Sequence, residues 1–432
     1  MLLQLAFGHN GLPVELPEGF RYELLECPPI PALPDATASI EHSLRFPIAG
    51  PSLMDLAAGK KSAAISVCDI TRPAPNPITL PPLIRALESA GIPRDAIRIL
   101  IATGLHRPAT EAEMRKIVGP EIYGRIEVLN HDARQRDEHR HLGTTRSGTP
   151  VYIDERFMSA DLHISLGFIE PHLMLGFSGG RKLIAPGLAY EATIKELHSS
   201  RFMRDRRARE ASIADNPLHA ELLEIARMAR HDFIVDVSLT RDRSIAQVFA
   251  GEPETAHKRG VSWVSSALMQ YLDEPADAVI TTSAGYPLDL TFYQTVKGVT
   301  AASHLVKPGG RILMFGECAE GAGAPEFKEM LLRYRSDAEF LRAIEGVPVT
   351  IDQWQLEKLA LATQKAEVLY CVPGLPDPFL GNLWGRGFRD PKQALDAFFN
   401  GLRPGIARIV LIPEGPYVLA EARELAHANP LL

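Results

Sequence analysis

The sequence has few of the features that mark secreted, zinc-binding or membrane-spanning proteins. Its four cysteines lie far apart and form no CxxC pair, which argues against a disulfide framework and a zinc ribbon. No apolar run approaches the roughly 18 residues that a membrane helix needs. The N-terminus lacks the basic region that precedes the apolar stretch of a signal peptide. We therefore expect a cytoplasmic protein with no membrane partner.

An excess of positive charge is also missing. The formal net charge of the 432 residues is −7, with 46 Lys and Arg against 53 Asp and Glu. This balance argues against a protein that binds nucleic acid through its overall charge. The densest basic run, SRFMRDRRARE, is interpreted as a solvated helix face. Hydrophobic residues make up 46% of the chain, and at this length we expect two domains.

Short apolar runs alternate with segments of helical periodicity from about residue 60 onward. This alternation predicts an α/β fold in which helices cover mostly parallel sheets. The predicted strands of the first half lie at residues 63–69, 97–104, 162–169 and 232–240, and its predicted helices at 81–91, 191–202 and 219–230.

A second α/β set begins near residue 275. Its predicted strands lie at residues 277–285, 311–318 and 368–372, and a predicted helix lies at 295–306. We therefore expect an N-terminal α/β domain over residues 1–272 and a Rossmann-like C-terminal α/β domain over 275–405. The final segment, 407–432, is expected to return to the first domain.

Polar residues follow several predicted strands, which is where open α/β sheets bind their ligands. His106 in TGLHRP and His172 in EPHLM are candidate general bases, because an unperturbed imidazole titrates near neutral pH. Arg72 in DITRP either binds a carboxylate through two hydrogen bonds or forms a structural pair with Asp69. Two histidines in such loops suggest a site with two bases.

The segment EPHLMLGFSGGRKLIAPGLA combines a histidine, several glycines and two adjacent basic residues. Its glycines either let backbone N–H groups approach an anion or form a tight structural turn. Neither the Walker A pattern nor GxGxxG is present. Lys182 follows the glycines directly, beside Arg181, whose charge disfavours a second cation. Lys182 is therefore either an activated nucleophile or the partner of a phosphate or carboxylate.

Three further groups of residues stand out. Tyr293, Gln294 and Lys297 in YQTVKG fall within about one helical turn and are expected to face the same side. His198 lies in the predicted helix 191–202, where a single histidine is either a surface residue or a ligand. The segment HDARQRDEHRHLG contains three histidines but lacks HExxH spacing, so it is interpreted as an exposed loop rather than a metal site.

Taken in order, these motifs resemble those of the nickel-dependent lactate racemase family. The set consists of DITRP, TGLHRP, EPHLMLGFSGGRKLIAPGLA, DNPLH and YQTVKG, with DQWQ as a further match. Each motif alone is weak, but the ordered set is specific. The resemblance implies a two-domain α/β protein with a cofactor cleft between the domains. It also implies a nickel-pincer nucleotide, the pyridinium-3-thioamide-5-thiocarboxylic acid mononucleotide.

The resemblance also assigns a role to each candidate residue. Lys182 would carry the cofactor through a covalent bond, and His198 would be the protein ligand to nickel. His106 and His172 would form the acid/base pair, one for each enantiomer. The residues assigned to the substrate are Arg72, Gln294 and Lys297. The residues assigned to the cofactor, besides Lys182, are Asp69, Thr71, Ser178, Gly179, Gly180 and Tyr293.

The implied activity is the interconversion of D- and L-2-hydroxy acids, lactate or another short aliphatic acid first among them. It would proceed by proton-coupled hydride transfer through a 2-keto acid, which makes the protein an isomerase. A larger or dicarboxylic acid such as malate is an alternative substrate. A phosphoryl-transfer or lysine Schiff-base enzyme, and a non-catalytic protein that binds an anion or nucleotide, also remain open. The expected partners are the 2-hydroxy acid and the proteins that synthesise the cofactor.

Overall fold

Two units make up the chain, and each contains one six-stranded β-sheet; the computed structural model describes residues 1–423. The N-terminal unit comprises Pro29–Leu197 and Ala211–Ala267. The C-terminal unit comprises Met1–Pro28, His198–Glu210 and the described residues from Leu268 onward. Both units are α/β, which confirms the predicted fold class. Within residues 1–423, no helix is both long and apolar enough to cross a membrane.

The bounds of the elements in chain order are as follows. The strands are β1 (Leu2–Leu5), β2 (Leu12–Glu15), β3 (Arg21–Leu24), β4 (Ala63–Cys68), β5 (Ile97–Ala102), β6 (Glu127–Asn130), β7 (His139–Thr144), β8 (Pro150–Asp154), β9 (Leu162–Phe168), β10 (Pro171–His172), β11 (Gly176–Phe177), β12 (Phe233–Leu239), β13 (Ile245–Gly251), β14 (Gln270–Leu272), β15 (Ala276–Thr282), β16 (Val306–Phe315), β17 (Glu367–Cys371), β18 (Arg386–Phe388), β19 (Arg408–Ile412) and β20 (Ala420–Ala422). The helices are α1 (Ala36–Arg45), α2 (Leu53–Ala57), α3 (Asn76–Ser89), α4 (Glu111–Val118), α5 (Glu155–Met158), α6 (Glu191–Leu197), α7 (Ser200–Met203), α8 (Pro217–Met228), α9 (Pro253–Leu268), α10 (Phe292–Ser303), α11 (Pro325–Arg333), α12 (Asp337–Ala343), α13 (Gln353–Lys365), α14 (Asp377–Leu380) and α15 (Pro391–Phe399).

The sheet of the N-terminal unit has the strand order β13-β12-β9-β4-β5-β6. All of its pairings are parallel except that of β12 with β13. Every residue of the central strands β4 and β9 is buried, as expected where helices cover both faces of a parallel sheet. Because β9, β4 and β5 are neighbours, the loops that follow them emerge at the same edge of the sheet.

The sheet of the C-terminal unit has the order β18-β17-β16-β15-β19-β3, and all of its pairings are parallel. Apolar residues pack on both faces of this sheet. On one face they come from α10, α11 and α13 and on the other from α15 and the β1–β2 hairpin. This doubly wound arrangement agrees with the Rossmann-like unit predicted for the second half.

The predicted strands and most predicted helices are present. The strands of the first half are β4, β5, β9 and β12, and those of the second half are β15, β16 and β17. The helices α3, α8 and α10 lie where periodicity placed them, with ends that differ by a few residues. The predicted turn KPGG instead belongs to β16, which begins at Val306.

The predicted domain boundaries differ from the observed division in three places. The final segment does not return to the first domain, because β19 pairs with β15 and β3 in the C-terminal unit; residues 424–432 of that segment lie outside the described part of the chain. Met1–Pro28 supplies β3 at the edge of the same sheet. His198–Glu210 also belongs to the C-terminal unit. These are pairings between distant segments, which local periodicity does not specify.

The predicted helix over residues 191–202 is interrupted at the histidine it was expected to carry. Helix α6 ends at Leu197, and α7 begins at Ser200 after Ser199 adopts an extended backbone. His198 therefore lies in the break between two helices rather than on a helix face. The division of the chain between the two units falls at this same position.

Candidate functional site

The predicted residues of the N-terminal unit come from three loops at one edge of its sheet. Asp69, Thr71 and Arg72 follow β4, His106 follows β5, and the glycine-rich segment follows β9. The strand order makes these three loops neighbours. The structure therefore brings together, within this unit, the loops that the sequence marked as polar strand ends.

Asp69 and His106 form a hydrogen-bonded pair. The distance from Asp69 Oδ2 to His106 Nδ1 is 2.6 Å, and the other carboxylate oxygen accepts from the Thr71 hydroxyl at 2.7 Å. An ionised carboxylate can only accept, so Nδ1 of His106 carries the proton and donates it. In the neutral ring this leaves the lone pair on Nε2, which is the arrangement of a general base held by an acid.

The environment keeps Asp69 ionised. Burial raises the pKa of its carboxyl group, but the hydrogen bond and charge of His106 and the Thr71 hydroxyl outweigh burial, so the pKa lies below its usual value. Asp69 is 7% exposed, whereas the side chain of His106 is 52% exposed. The pair therefore has a buried acceptor that orients the ring and a base that is open to a ligand. The sequence had placed Asp69 near the cofactor and did not identify this contact.

Arg72 does not form the structural ion pair with Asp69 that the sequence left open. Among the described residues, its guanidinium donates only long hydrogen bonds, of 3.4 Å, to the backbone carbonyl and hydroxyl oxygens of Thr71. Its charge does contribute to the low pKa of Asp69. This geometry leaves N–H donors in the plane of the Arg72 guanidinium that are suited to bind a carboxylate.

His172 lies in the two-residue strand β10, which pairs with β11 across a tight hairpin. Its Nδ1 atom accepts from the backbone N–H groups of Met174 and Leu175 at 3.4 and 3.3 Å. An accepting Nδ1 places the ring proton on Nε2 in the neutral form. His172 and His106 are therefore held in opposite tautomers.

The glycines of the loop are required by packing against buried side chains. Ser178 donates its hydroxyl to the Phe168 carbonyl at 2.8 Å. A Cβ atom on Gly179 would lie 2.6 Å from a carboxylate oxygen of Asp236, and one on Gly180 would lie 3.3 Å from the ring of His257. Both glycines also have positive φ angles. Of the two interpretations of this loop, the tight structural turn is thus directly supported.

Arg181 points into the protein and shapes this turn. Its guanidinium is 2% exposed and donates to the carbonyl oxygens of Leu175, Phe177 and Gly179 at 3.1, 2.9 and 3.2 Å. It also donates to Nε2 of His257 at 2.7 Å. Burial lowers the pKa of Arg181 to about 9, so the group remains a cation near pH 7. Its role is to fix the backbone that precedes Lys182.

Lys182 is half-buried in a single 3-10 turn over Gly180–Leu183. One hydrogen bond joins this turn to β4, and another joins the chain just after the turn to the loop of His106. Ser66 on β4 donates to the carbonyl of Leu183 at 2.8 Å, and the N–H of Gly104 donates to the carbonyl of Gly187 at 3.0 Å. The turn is therefore fastened both to the strand that precedes Asp69 and to the loop that carries His106.

Asp236 is a buried carboxyl group beneath the glycine turn. It is 0% exposed on β12, and neither carboxyl oxygen has a hydrogen-bond partner among residues 1–423. Burial raises the pKa of Asp236 to about 7, and the nearby backbone of Gly180 and the charge of Arg181 offset only part of this rise. The sequence offered no sign of this group, because a single Asp in an apolar strand has no local partner.

Asp236→Asn is expected to stabilise the protein more at pH 8 than at pH 5. A carboxyl group with a raised pKa binds a proton in the folded state between its unfolded pKa near 4 and about 7. Its contribution to the free energy of unfolding therefore falls as pH rises through that window. The gain of the variant over wild type should grow by about 1–3 kcal/mol, measured by urea unfolding at both pH values. An equal difference at the two pH values would contradict this expectation.

The remaining predicted residues belong to the C-terminal unit. Tyr293, Gln294 and Lys297 occupy the first turns of α10, as predicted. The Gln294 side-chain oxygen is buried and has no hydrogen-bond partner among the described residues. A buried acceptor without a donor is a costly arrangement that a ligand with an O–H or N–H group can relieve.

The first turn of α13 contacts His198, which also belongs to the C-terminal unit, and Tyr293. The ring of Trp354 lies 4.3 Å, centroid to centroid, from the ring of His198. The side-chain amide of Gln355 donates to the carbonyl of Tyr293 at 2.9 Å. The motif DQWQ is therefore explained by contacts that hold His198 and the start of α10. The sequence had marked this motif as a match without assigning it a role.

The motif DNPLH also has a structural role. Asn216 caps α8 by accepting from the backbone N–H groups of Leu218 and His219 at 3.0 and 3.2 Å. Its side-chain amide donates to the carbonyl of Met174 at 3.1 Å. Asn216 therefore links the helix to the hairpin that carries His172. The sequence indicates only that a helix starts at this motif and does not indicate the contact with the hairpin.

Two of the three histidines in HDARQRDEHRHLG are buried, which corrects the interpretation of an exposed loop. His131 and His139 are 0% and 4% exposed, and their Nε2 atoms are 2.9 Å apart. Burial lowers the pKa of His131 to about 3, so the pair shares one hydrogen bond between neutral rings. Among residues 1–423, no cluster of three or more His, Cys, Asp or Glu side chains could hold a metal ion.

The basic run at residues 200–210 is likewise not a solvated helix face. Arg204 pairs with Glu357 at 2.8 Å, Arg207 with Asp205, and Arg209 with Glu421. Glu357 is 0% exposed. Arg204 and Arg209 therefore fasten this segment to other parts of the C-terminal unit, whereas Arg207 pairs within the segment.

Comparisons with known proteins agree with this arrangement. The sequence profile of the lactate racemase N-terminal domain matches residues 7–211, and that of the lactate racemase C-terminal domain matches residues 272–419. The lactate racemase of Lactiplantibacillus plantarum is 36% identical over 388 residues, which cover 89% of this chain and 90% of that protein. The lactate racemase of Thermoanaerobacterium thermosaccharolyticum is 34% identical over 387 residues, with the same coverage.

Two solved structures are similar. The lactate racemase apoprotein of Thermoanaerobacterium thermosaccharolyticum has a TM-score of 0.91 and 32% identity, and the match covers 98% of this chain and 100% of that one. A protein from Thermotoga maritima has a TM-score of 0.67 at 16% identity, over 90% of this chain and 99% of that one, and shows the fold alone. The chain therefore belongs to the lactate racemase family of isomerases.

Proposed function

We propose that the protein racemises a short 2-hydroxy acid, lactate first, by hydride transfer to a nickel-pincer nucleotide bound covalently to Lys182. One observation carries the proposal. A buried carboxylate, Asp69, holds His106 as a base beside the turn of Lys182, which hydrogen bonds from Ser66 and Gly104 fasten in place. The family membership and the names of two relatives support the substrate.

The residues fit the proposed cofactor in two respects. Lys182 is half-buried in a rigid turn, which suits a primary amine that forms a covalent bond. His198 offers an imidazole, a ligand that nickel accepts, and its ring rests against Trp354. When bound, the cofactor supplies the site that accepts and returns hydride. Its own donor atoms would complete the metal's ligands, so a single protein ligand is sufficient.

The protein residues supply proton transfer. Hydride can leave C2 of the substrate only as the hydroxyl proton is taken up, since otherwise the carbonyl does not form. His106, with its lone pair on Nε2, is set up to take this proton. His172 would return a proton to the keto oxygen from its imidazolium form, because a neutral ring that gave up its only N–H proton would become an imidazolate. Since the hydroxyl groups of the two enantiomers point in different directions, one histidine would serve each.

Binding of the carboxylate falls to cationic and polar side chains. Arg72 has a planar set of donors not engaged by Asp69, and Lys297 lies one turn after Gln294 on α10. The buried oxygen of Gln294 can accept from the substrate hydroxyl. Holding the 2-keto acid in this way would keep it in place while it presents its other face, a positioning effect that can be large.

Lactate is expected to racemise faster than malate. Leu173, Met174 and Leu175, which follow His172, are buried and apolar, and an apolar environment favours a methyl group over a second carboxylate. The difference in kcat/KM should be about tenfold or more. It is measured by following loss of optical activity for each pure enantiomer. A preference for malate would overturn the substrate assignment.

The cofactor is tested on protein produced together with the proteins that synthesise it. Intact mass should show one adduct that maps to Lys182, with near-stoichiometric nickel. A lysine Schiff-base enzyme would instead be trapped by borohydride with a keto acid and need no nickel. A binding protein would bind the hydroxy acid without isomerising it.

We also propose that the cofactor-synthesis proteins are its partners and that it acts in the cytoplasm.

A further inference from the structure

The segment His198–Glu210 is held in the C-terminal unit by buried charges. In the sequence it interrupts the N-terminal unit, so its position does not follow from chain connectivity. It contains one short helix, α7, of four residues. A helix of that length has little stability of its own, so contacts from outside must fix the segment.

Lys358 provides two of these contacts from α13. Its side chain is 6% exposed, and Nζ donates to the carbonyl of Met203 at 2.8 Å and to that of Ala208 at 2.7 Å. Met203 is the last residue of α7, where carbonyl groups lack partners within the helix. One ammonium group thus joins the end of α7 to the chain that follows it.

The neighbouring Glu357 adds an ion pair to the same segment. Its carboxylate is fully buried and accepts from Arg204 Nε at 2.8 Å, while Arg204 also donates to the carbonyl of Leu341 at 2.7 Å. A buried charge left without its partner is strongly unfavourable. Arg204 and Glu357 therefore resist any displacement of the segment along α13.

The same helix touches the beginning of the segment. Trp354 precedes Glu357 by three positions and Lys358 by four, so the three side chains are neighbours on the helix surface. The ring of Trp354 contacts that of His198. One face of α13 therefore contacts the histidine, the middle and the end of the segment.

We propose that Lys358, with the Arg204–Glu357 pair, is a positioning residue that holds His198 in one orientation on the C-terminal unit. The inference rests on the proposed function in one respect, since His198 is taken as the protein ligand to nickel. Lys358 itself touches backbone carbonyl groups and has no role in the chemistry. Its effect on the metal would be transmitted through the segment that carries His198.

The test compares Lys358→Met with Lys365→Met. Lys365 is a matched control because it lies on the same helix, donates to the carbonyl of Ser303 outside the segment, and has a pKa that burial also lowers to about 8. Hydrogen–deuterium exchange of the apoprotein should be at least about tenfold faster over residues 198–210 in Lys358→Met. In Lys365→Met it should match wild type there.

The loaded protein gives the second readout. Nickel release to EDTA should be about tenfold faster in Lys358→Met than in wild type or Lys365→Met, with the adduct on Lys182 retained. Equal exchange over 198–210 in the two variants, or equal nickel release, would overturn the proposal. If Lys358→Met does not fold, Glu357→Gln takes its place in the same comparison. Wild-type protein without adduct or nickel would instead refute the proposed function, and exchange in the apoprotein would still decide whether Lys358 holds the segment.

Discussion

Lys182→Ala is expected to abolish both the covalent adduct and racemase activity. Under the proposed function, the bond to the cofactor requires a primary amine at this position, and without it the site would not retain the group that accepts hydride. Activity should fall by at least about 1,000-fold, roughly 4 kcal/mol in the activation free energy. The measurements are intact mass and racemisation rate of protein produced with the cofactor-synthesis proteins.

Two control variants distinguish loss of the primary amine from loss of the positive charge and from a general effect on the fold. Lys182→Arg keeps the positive charge but has no primary amine, so it should fail in the same way as the alanine variant. Lys195→Ala removes a lysine that pairs with Glu191 on α6 and should keep the full adduct. An adduct of wild-type mass in Lys182→Ala, or activity in Lys182→Arg, would show that the cofactor is attached elsewhere or not at all.

His106→Ala and Asp69→Asn should both lower kcat strongly. Loss of a general base typically costs about 100- to 10,000-fold. Asparagine would keep the shape of Asp69 but could donate to Nδ1, which would favour the tautomer without a lone pair on Nε2. The expected loss for Asp69→Asn is about 100-fold or more, by analogy with carboxylates that hold a catalytic histidine. The measurement is kcat in both directions at neutral pH.

Thr71→Val is the matched control for this pair. It removes the hydroxyl that donates to Asp69 Oδ1 at 2.7 Å but leaves the contact with His106. Its effect on kcat should be about tenfold or less, the scale of a typical net hydrogen-bond contribution, because Asp69 keeps its charge and its contact with His106. If Asp69→Asn kept kcat within threefold of wild type, the carboxylate would not control the tautomer of His106.

The loops of the N-terminal unit that carry the candidate residues could be predicted from local sequence. Asp69 and His106 lie in loops directly after strands whose apolar runs were recognisable, and Lys182 lies in the longer segment that follows β9. Parallel strands place such loops at one edge of the sheet. The contact between Asp69 and His106 was not predicted, because they lie 37 residues apart. Which loops become neighbours depends on the order of the strands in the sheet, and no single segment of the sequence specifies that order.

The buried polar groups could not be predicted at all. Asp236, His257 and Arg181 each have partners or surroundings far away in the sequence. From the sequence, the glycines after Phe177 could form either an anion cradle or a tight turn. In the structure their missing side chains are needed because Asp236 and His257 occupy that space. A glycine pattern indicates that the position has no room for a side chain, but it does not indicate which neighbouring residue occupies the space.

By itself, the sequence determined the fold class, the central strands of both sheets, a few of the helices, and the family, because these depend on local periodicity and on ordered motifs. Only the tertiary structure decided where the chain divides. It assigned Met1–Pro28, the segment of His198 and the strand β19 to the C-terminal unit. The physical reason is that strand pairing and buried charges such as Arg204 and Glu357 join residues far apart in the chain, and their energies depend on neighbours that only folding supplies.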